Sequence, residues 1–203
     1  MTSARDEILG RVRSALSGTA PTPRPDIPRG STPEDVVALF AERVADYRAV
    51  VERCSKRQLH SRLKAALPEG RIVVPAGLSV TIADAVVDGQ PAGLSAAELD
   101  ACAAVVTDAA VGIAETGTIV LDGSPDQGRR IISLLPDLHI IVLRPEQVVA
   151  SVPAAIARLD PRRPLTWISG PSATSDIELN RVEGVHGPRN LHVILLPEAS
   201  DAH

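Results

Sequence analysis

The amino-acid sequence predicts an α/β protein with an open, largely parallel central sheet flanked by helices, and with a helical N-terminal extension. Short apolar runs typical of strands alternate with helix-like segments, which favours parallel strands joined by right-handed crossovers. The run Leu138–Leu143 is apolar apart from His139, as expected for a strand buried on both faces. The chain has 203 residues, which is enough for one domain and an extension.

The extension is predicted to be a helix followed by a proline-rich linker. Ser3 precedes Asp6 in a helix-capping pattern, and apolar residues at helical spacing predict a short amphipathic helix over residues 4–16. Four prolines in the next fifteen residues predict an extended linker. We therefore divide the chain into this extension, 1–31, and an α/β domain, 32–203.

Two helices are predicted to open the α/β domain. From Thr32, apolar residues at helical spacing predict one long helix. Its apolar face consists of Val36, Val37, Phe40, Val44, Tyr47 and Val51. A capping box of Ser55 and Gln58 predicts the start of a second helix, which Pro68 and Gly70 end.

The rest of the chain alternates between strands and helices. Strands are predicted at 71–74, 104–107, 118–121, 138–143, 165–169 and 191–196. Helices are predicted around 80–87, after the capping box of Ser95 and Glu98, near 127–134 and over 146–159. Pro153 is expected to break or kink the last helix. The loop that begins at Gly170 follows a predicted strand, so we expect it at the carboxyl edge of the sheet, where open α/β sheets bind ligands.

Composition excludes several classes of function. The chain has one Phe, one Tyr and one Trp, too few for an RNA-stacking surface, and its net charge of -4 gives no field that attracts nucleic acid. Cys54 and Cys102 are isolated, so no cysteine cluster holds an iron–sulfur centre or zinc. No signal peptide or membrane span is evident, which predicts a cytoplasmic protein with reduced thiols.

The first candidate site segment is the turn that leads into the 118–121 strand. Glu115 is suited to act as a base or nucleophile, while Thr116 and Thr118 offer hydroxyl donors and Gly117 lets the backbone approach a ligand. The alternative is a simple strand-entry turn with a solvated Glu115.

The second segment runs from Gly170 to Asp176. Gly170 and its small neighbours favour a backbone nest for an anion, with Ser172 and Thr174 as donors and Asp176 orienting one of them. The alternative is a turn with an Asp-capped helix start. Ser172, Asp176 and His186 are the ingredients of a hydrolase triad, but the nucleophile-elbow motif is absent.

The third segment contains His186, with glycines close on both sides, and Arg189. The imidazole suits a general acid or base, and the guanidinium suits a carboxylate. The alternative is a structural loop with a surface arginine. The Gly128-Arg129-Arg130 sequence faces either an anion or solvent, whereas His139 and His192 lie in apolar strands and are interpreted as core residues. No histidine spacing indicates a metal, and no phosphate-loop or dinucleotide motif is present.

Four sequence blocks together resemble the LUD-domain family of lactate utilization proteins. The blocks are AETGTIVL, GRRIISLLPDLHIIVL, SGPSATSDIEL and GVHGPRNLHVILL, and the resemblance spans about 71–197. It implies the fold of sugar-phosphate isomerases and coenzyme A transferases, and a role in oxidising L-lactate to pyruvate beside iron–sulfur partner proteins. This chain lacks their cysteines, so the resemblance implies a component with no redox cofactor of its own.

Three functions are consistent with the sequence. The first is an accessory subunit of L-lactate oxidation that binds a small carboxylate; the second is an independent acyl, sugar-phosphate or folate enzyme that uses Glu115 and His186; the third is a purely structural or regulatory module. The proposed pocket combines all three segments. The sequence leaves open the ligand, whether the chain is catalytic alone, and whether it forms a homo-oligomer.

Overall fold

The computed structural model describes residues 3–20, 33–89, 92–172 and 187–196. The chain divides into two compact units, Met1–Ser31 and Thr32–His203. In the first unit, helix α1 (Ala4–Leu16) begins where the Ser3 hydroxyl accepts the Asp6 N–H at 3.2 Å, which confirms the predicted first helix.

The second unit is built around a six-stranded parallel sheet. Its strands are β1 (Val50–Arg53), β2 (Ile72–Pro75), β3 (Val86–Asp88), β4 (Ala104–Thr107), β7 (Leu138–Leu143) and β10 (Asn190–Leu195). They lie in the order β1-β10-β7-β4-β2-β3, and each neighbouring pair is parallel. The central strands are rich in Val and Ile because both of their faces are buried. The predicted open, largely parallel sheet is confirmed.

Apolar clusters cover both faces of this sheet. On one face lies helix α3 (Lys56–Ala66), in a cluster that includes Leu59, Leu63, Ile140 and Val142. On the other lies helix α2 (Val36–Asp46), in a cluster that includes Phe40, Val44, Ile141 and Leu143. Successive residues of β7 therefore point to opposite cores, as the alternation of a strand requires.

The structure also contains a second, four-stranded sheet, which the sequence does not predict. Its strands are β5 (Val111–Ile113), β6 (Thr118–Leu121), β8 (Val148–Val149) and β9 (Thr166–Ile168), in the order β8-β5-β6-β9. The β5–β6 hairpin follows β4 in the chain. The segments before and after it are joined by a hydrogen bond from the Asp108 N–H to the Asp126 carbonyl, at 3.1 Å. Strand β9 pairs antiparallel with β6.

Two helix predictions near the start of the domain are wrong. One helix is shorter than predicted, and the other does not form. The long helix stops at Asp46, and Arg48 adopts a positive φ of 68° that turns the chain into β1, so Val51 lies in a strand. No helix forms over 80–87; Asp84 has a φ of 57° and Val86 pairs with β2. The β-branched residues of both segments fit a strand better than a helix.

The predictions around the capping boxes and Pro153 have mixed outcomes. The boxes of Ser55 and Ser95 open α3 and helix α4 (Ala96–Asp100) as predicted. The 146–159 helix is wrong, because a 3-10 turn and β8 precede α5 (Val152–Arg158); Pro153 lies in the first turn of α5, where its missing N–H costs nothing. The helix near 127–134 is one 3-10 turn, Arg130–Ser133.

Candidate functional site

The described residues of the second and third predicted segments lie at the amino edge of the parallel sheet. Arg189 directly precedes β10, Asp137 directly precedes the neighbouring strand β7, and the Ser172 N–H donates to the Pro188 carbonyl at 2.8 Å. The expectation that the Gly170 loop opens at the carboxyl edge of the parallel sheet is wrong. The preceding strand, β9, belongs to the second sheet and runs antiparallel to β6.

Hydrogen-bonded hydroxyls join the first predicted segment to Ser169, the residue before the second segment. The Thr116 hydroxyl donates to Thr118 Oγ1 at 2.8 Å, and Thr118 Oγ1 lies 2.8 Å from Ser169 Oγ. Thr118 is buried, whereas Glu115 is exposed at the hairpin turn and its backbone N–H donates to the Ala150 carbonyl. The threonines therefore hold the first segment to Ser169 through contacts within the chain.

Packing requires the glycines of both segments. Gly117 has a φ of 58°, and a Cβ there would lie 2.7 Å from the carbonyl carbon of Arg43. Gly170 has a φ of 80°, and a Cβ there would lie 2.6 Å from Cβ of Tyr47. Both conformations are strained for other residues, and both sites lack room. These glycines thus fit the turns closely against the end of α2.

Arg189 forms the planar, two-bond pairing that the sequence predicts for it, but its partner is a carboxylate of the chain itself. Its Nε donates to Asp137 Oδ1 at 2.7 Å, and a second guanidinium nitrogen bonds Asp137 Oδ2. This pair ties the start of β10 to the start of β7. Thr174, Asp176 and His186, which complete the predicted pocket, lie outside the described residues.

A cavity of about 330 Å³ lies beside these segments, and we call it the amino-edge cavity. Its walls include Arg130, Ser133, His139, Gly170, Ser172 and Pro188. Gly170 and Ser172 are thus the predicted binding residues that line it, whereas Glu115 lines neither this cavity nor the one described next.

A second cavity, of about 410 Å³, lies at the other end of the parallel strands, and we call it the carboxyl-edge cavity. Its walls include Ala76, Asp88, Gly123, Gly128, Arg129 and Arg130. Ala76 directly follows β2 and Asp88 ends β3, which places the cavity at the carboxyl edge. Arg130, Ser133 and Thr166 line both cavities.

An ion pair fixes the wall of the carboxyl-edge cavity. Arg129 donates from Nε and a terminal nitrogen to the two carboxylate oxygens of Asp88, at 2.7 and 2.6 Å, and also to the Leu94 carbonyl at 2.8 Å. The Asp88 side chain is buried, and the hydrogen bond from Arg129 holds the pKa of this carboxyl below its usual value. The Arg129 guanidinium is therefore committed to the chain's own carboxylate.

Further carboxylates lie beside the same edge. Asp108, directly after β4, accepts the Ser79 N–H at 3.0 Å and the Ser79 hydroxyl at 2.8 Å. Burial raises the pKa of Asp126, and the negative charge of nearby Asp108 adds to this rise. Within the described residues, no group of three or more His, Cys, Asp and Glu side chains is placed to hold a metal ion.

Arg130 differs from Arg129 in its surroundings. It is exposed, lines both cavities, and its guanidinium makes no ion pair or hydrogen bond with the residues that the structure describes. A guanidinium presents five donors in a planar fork that fits a carboxylate. Arg130 is thus available to an anionic ligand in either cavity.

His139 is the buried polar group of the amino-edge cavity. It is 1% exposed, and its Nε2 lies 2.8 Å from the Thr107 hydroxyl oxygen. Burial lowers the pKa of His139 to about 3, so the ring is neutral at physiological pH. Its Nδ1 is buried and has no hydrogen-bond partner among the described residues.

Sequence reasoning does not identify His139 as a site residue and does not decide the role of Arg130. A histidine inside an otherwise apolar strand is a usable signal, because a buried imidazole needs partners for both nitrogens. The pattern itself does not reveal that one nitrogen lacks a partner. Ser133 carries no sequence signal, since it lies in a turn beside many ordinary polar residues.

An open parallel sheet flanked by helices on both faces defines an α/β protein. The chain belongs to the LUD domain family, whose model matches residues 31–196. The resemblance seen in its sequence blocks is therefore confirmed.

Individual relatives agree with this assignment. The chain is 44% identical, over 95% of both chains, to a Deinococcus radiodurans protein named lactate utilization protein C. A Bacillus subtilis protein of the same name is 36% identical over 101 residues, which is 46% of this chain and 42% of that protein. A crystal structure of a DUF162 family protein from Deinococcus radiodurans superposes with a TM-score of 0.68 at 42% identity, covering 80% of this chain and 96% of that one. The names of these relatives support a role in lactate utilization.

Proposed function

We propose that the chain is an accessory component of L-lactate utilization, the oxidation of L-lactate to pyruvate, and that it binds a small carboxylate. In this proposal it acts in the cytoplasm with iron–sulfur partner proteins that carry the electrons. The observation that carries the proposal is the 44% identity, over 95% of both chains, to a protein named lactate utilization protein C.

The amino-edge cavity supports the binding of a small carboxylate. Its volume of about 330 Å³ is near the lower end of the roughly 300–1,000 Å³ typical of ligand sites. Arg130 offers a guanidinium that is uncommitted among the described residues, and Ser172 lies in the same wall. A single cation with a neighbouring hydroxyl is an arrangement that suits one carboxylate better than a polyphosphate.

The cysteines support a chain without redox chemistry of its own. Cys54 and Cys102 are both buried and unpaired. Burial raises the pKa of each thiol, which keeps both protonated and weakly nucleophilic. In this proposal, acceptors on other proteins take the electrons from L-lactate. In the part of the chain that the structure describes, no helix is long and apolar enough to cross a membrane.

Growth on L-lactate tests the biological role. Deleting the gene in its native host, with no second family member present, is expected to abolish growth on L-lactate as sole carbon source, and a plasmid copy restores it. A copy with Arg130→Gln is expected to fail. The matched control is Arg162→Gln, because Arg162 pairs with Asp160 and lines neither cavity. Undiminished growth of the deletion strain would contradict the proposal.

Co-purification tests the partners separately. The full chain, tagged and expressed at its native level in lactate-grown cells, is expected to retain proteins with the visible absorption of iron–sulfur clusters. Recovery of the chain alone contradicts the proposed partners and leaves the growth result standing on its own.

A further inference from the structure

We propose that His139 donates a hydrogen bond from Nδ1 to the oxygen on the α-carbon of a 2-hydroxy or 2-oxo carboxylate in the amino-edge cavity, while Arg130 binds its carboxylate. This inference rests on the proposed carboxylate-binding function. It identifies the side chain, His139, that would distinguish such acids from carboxylates with no α-oxygen.

The hydrogen bond to Thr107 determines which nitrogen of His139 carries the proton. The Thr107 hydroxyl lies 2.8 Å from Nε2 and has no other acceptor among the described residues. A hydroxyl that donates to Nε2 leaves the single proton of the neutral ring on Nδ1. The unpartnered atom is therefore an N–H donor, and it requires an acceptor such as a hydroxyl or keto oxygen.

His139 lines the amino-edge cavity, which sets it apart from the other residues with a buried atom that has no hydrogen-bond partner. In the described part of the chain these are Glu52, Asp126 and His192, and none of the three residues lines either cavity. More than about nine in ten buried polar groups have a partner, because leaving one without costs about 1–3 kcal/mol. A missing partner in a cavity wall thus points to a ligand.

The neutral state of the ring decides what His139 does with the ligand. Because burial lowers the pKa of His139 to about 3, the ring carries no extra proton to transfer near neutral pH. Its role is then recognition of the α-oxygen. The carboxylate charge is compensated by Arg130, which lines the same cavity.

Calorimetric titration of the full chain with L-lactate, pyruvate and propionate tests the assignment, since propionate lacks the α-oxygen. We expect L-lactate and pyruvate to bind more tightly than propionate. His139→Gln places an amide near Nε2 and removes the Nδ1 donor, so it should reduce this preference about three- to tenfold and leave propionate affinity within about twofold. Arg130→Gln should weaken all three.

Two variants serve as matched controls. His139→Asn keeps a donor near the Nδ1 position and should retain part of the preference. His192→Gln replaces another buried strand histidine, one that lines neither cavity, and should leave the preference unchanged. In wild-type protein, saturating L-lactate should shift the ¹⁵N resonance of His139 Nδ1, a measurement that needs no variant to fold.

The outcomes separate this inference from the proposed function. Equal weakening of all three acids by His139→Gln, or an unchanged Nδ1 resonance when L-lactate binds, overturns the role of His139 alone. If wild-type protein binds none of the three acids, carboxylate binding fails and the inference fails with it.

Discussion

Arg129 and Arg130 are neighbours in the chain, yet they serve the two cavities in different ways. At the carboxyl-edge cavity, Arg129 is held by two bonds to the buried Asp88 and one to a backbone carbonyl. Towards the amino-edge cavity, Arg130 is exposed and unpaired among the described residues, and His139 has a buried nitrogen without a partner.

This difference indicates which wall is structural and which is suited to a ligand. In the carboxyl-edge wall Arg129 and Asp88 pair with each other, which leaves Arg130, a residue of both walls, as the cation that is uncommitted among the described residues. The amino-edge wall adds His139, whose Nδ1 has no hydrogen-bond partner among the described residues. Open α/β sheets usually bind ligands at their carboxyl edge; the proposed site at the amino edge rests instead on hydrogen-bonding groups that have no partner among the described residues.

The largest expected effect is on stability at the carboxyl-edge wall. Arg129→Ala leaves the buried Asp88 carboxylate without its cation and should lower the free energy of unfolding by about 2–3 kcal/mol, less than for a fully buried pair because Arg129 is half-exposed. Arg130→Ala should change it by less than about 0.5 kcal/mol. Urea unfolding at pH 7 measures both.

The same pair has a defined pH dependence. Because the pKa of Asp88 is lowered in the folded state, its contribution is fully present above the unfolded value of 3.8 and is lost as pH falls through the lower folded pKa. Equal unfolding free energies for Arg129→Ala and Arg130→Ala at pH 7 would remove the contrast between the two walls.

A second effect, of about 2 kcal/mol, concerns His139 and pH. The pKa of His139 is about 3 in the folded protein and 6.5 for a solvated histidine, so the unfolded chain binds more protons between these values and stability falls as pH is lowered from 6.5. Lowering the pH from 7 to 5 should therefore cost wild-type protein about 2 kcal/mol more than it costs His139→Gln. Unfolding curves at both pH values give this difference; parallel losses would show that His139 is not buried as a neutral ring.

The smallest expected effect is a difference in stability between two glycine variants, which separates the cost of packing from that of backbone strain at Gly117. Gly117→Ala suffers from its positive φ and from contact with the Arg43 backbone, whereas Gly89→Ala has a φ of 88° and nothing within 4 Å of the added Cβ. Gly117→Ala should therefore be less stable than Gly89→Ala by about 1 kcal/mol. Equal melting temperatures would mean that the turn shifts away from α2 without strain.

The sequence predicts the parts of the fold that local chemistry decides. The capping boxes at Ser55 and Ser95 and the buried strand Leu138–Leu143 depend on nearby residues, and all three are confirmed. The apolar pattern also predicts strand β9, but the pairing of β9 with β6 joins residues far apart in the chain. Local patterns do not specify such a partner, so they do not predict the second sheet.

The candidate site, like the fold, could be predicted from the sequence only where local residues decide it. Composition predicts Gly170 and Ser172 as binding residues, and both line the amino-edge cavity. The apolar neighbours of His139 favour a core residue, which is correct for its burial. Only the tertiary structure shows that this buried ring reaches a cavity wall with one nitrogen unpartnered.

The strand order has a consequence for synthesis of the protein on the ribosome. Strand β1, at residues 50–53, has β10 as its only neighbour in the described sheet, and β10 does not begin until residue 190. Until residue 190 and those after it are synthesised, the nascent chain thus holds an unpaired strand, with Val50 and Val51 free to pair wrongly. Such distant pairing slows folding and extends the exposure of the strand edge to aggregation. The described six-stranded sheet is complete only when its next-to-outermost strand, β10, inserts between β1 and β7.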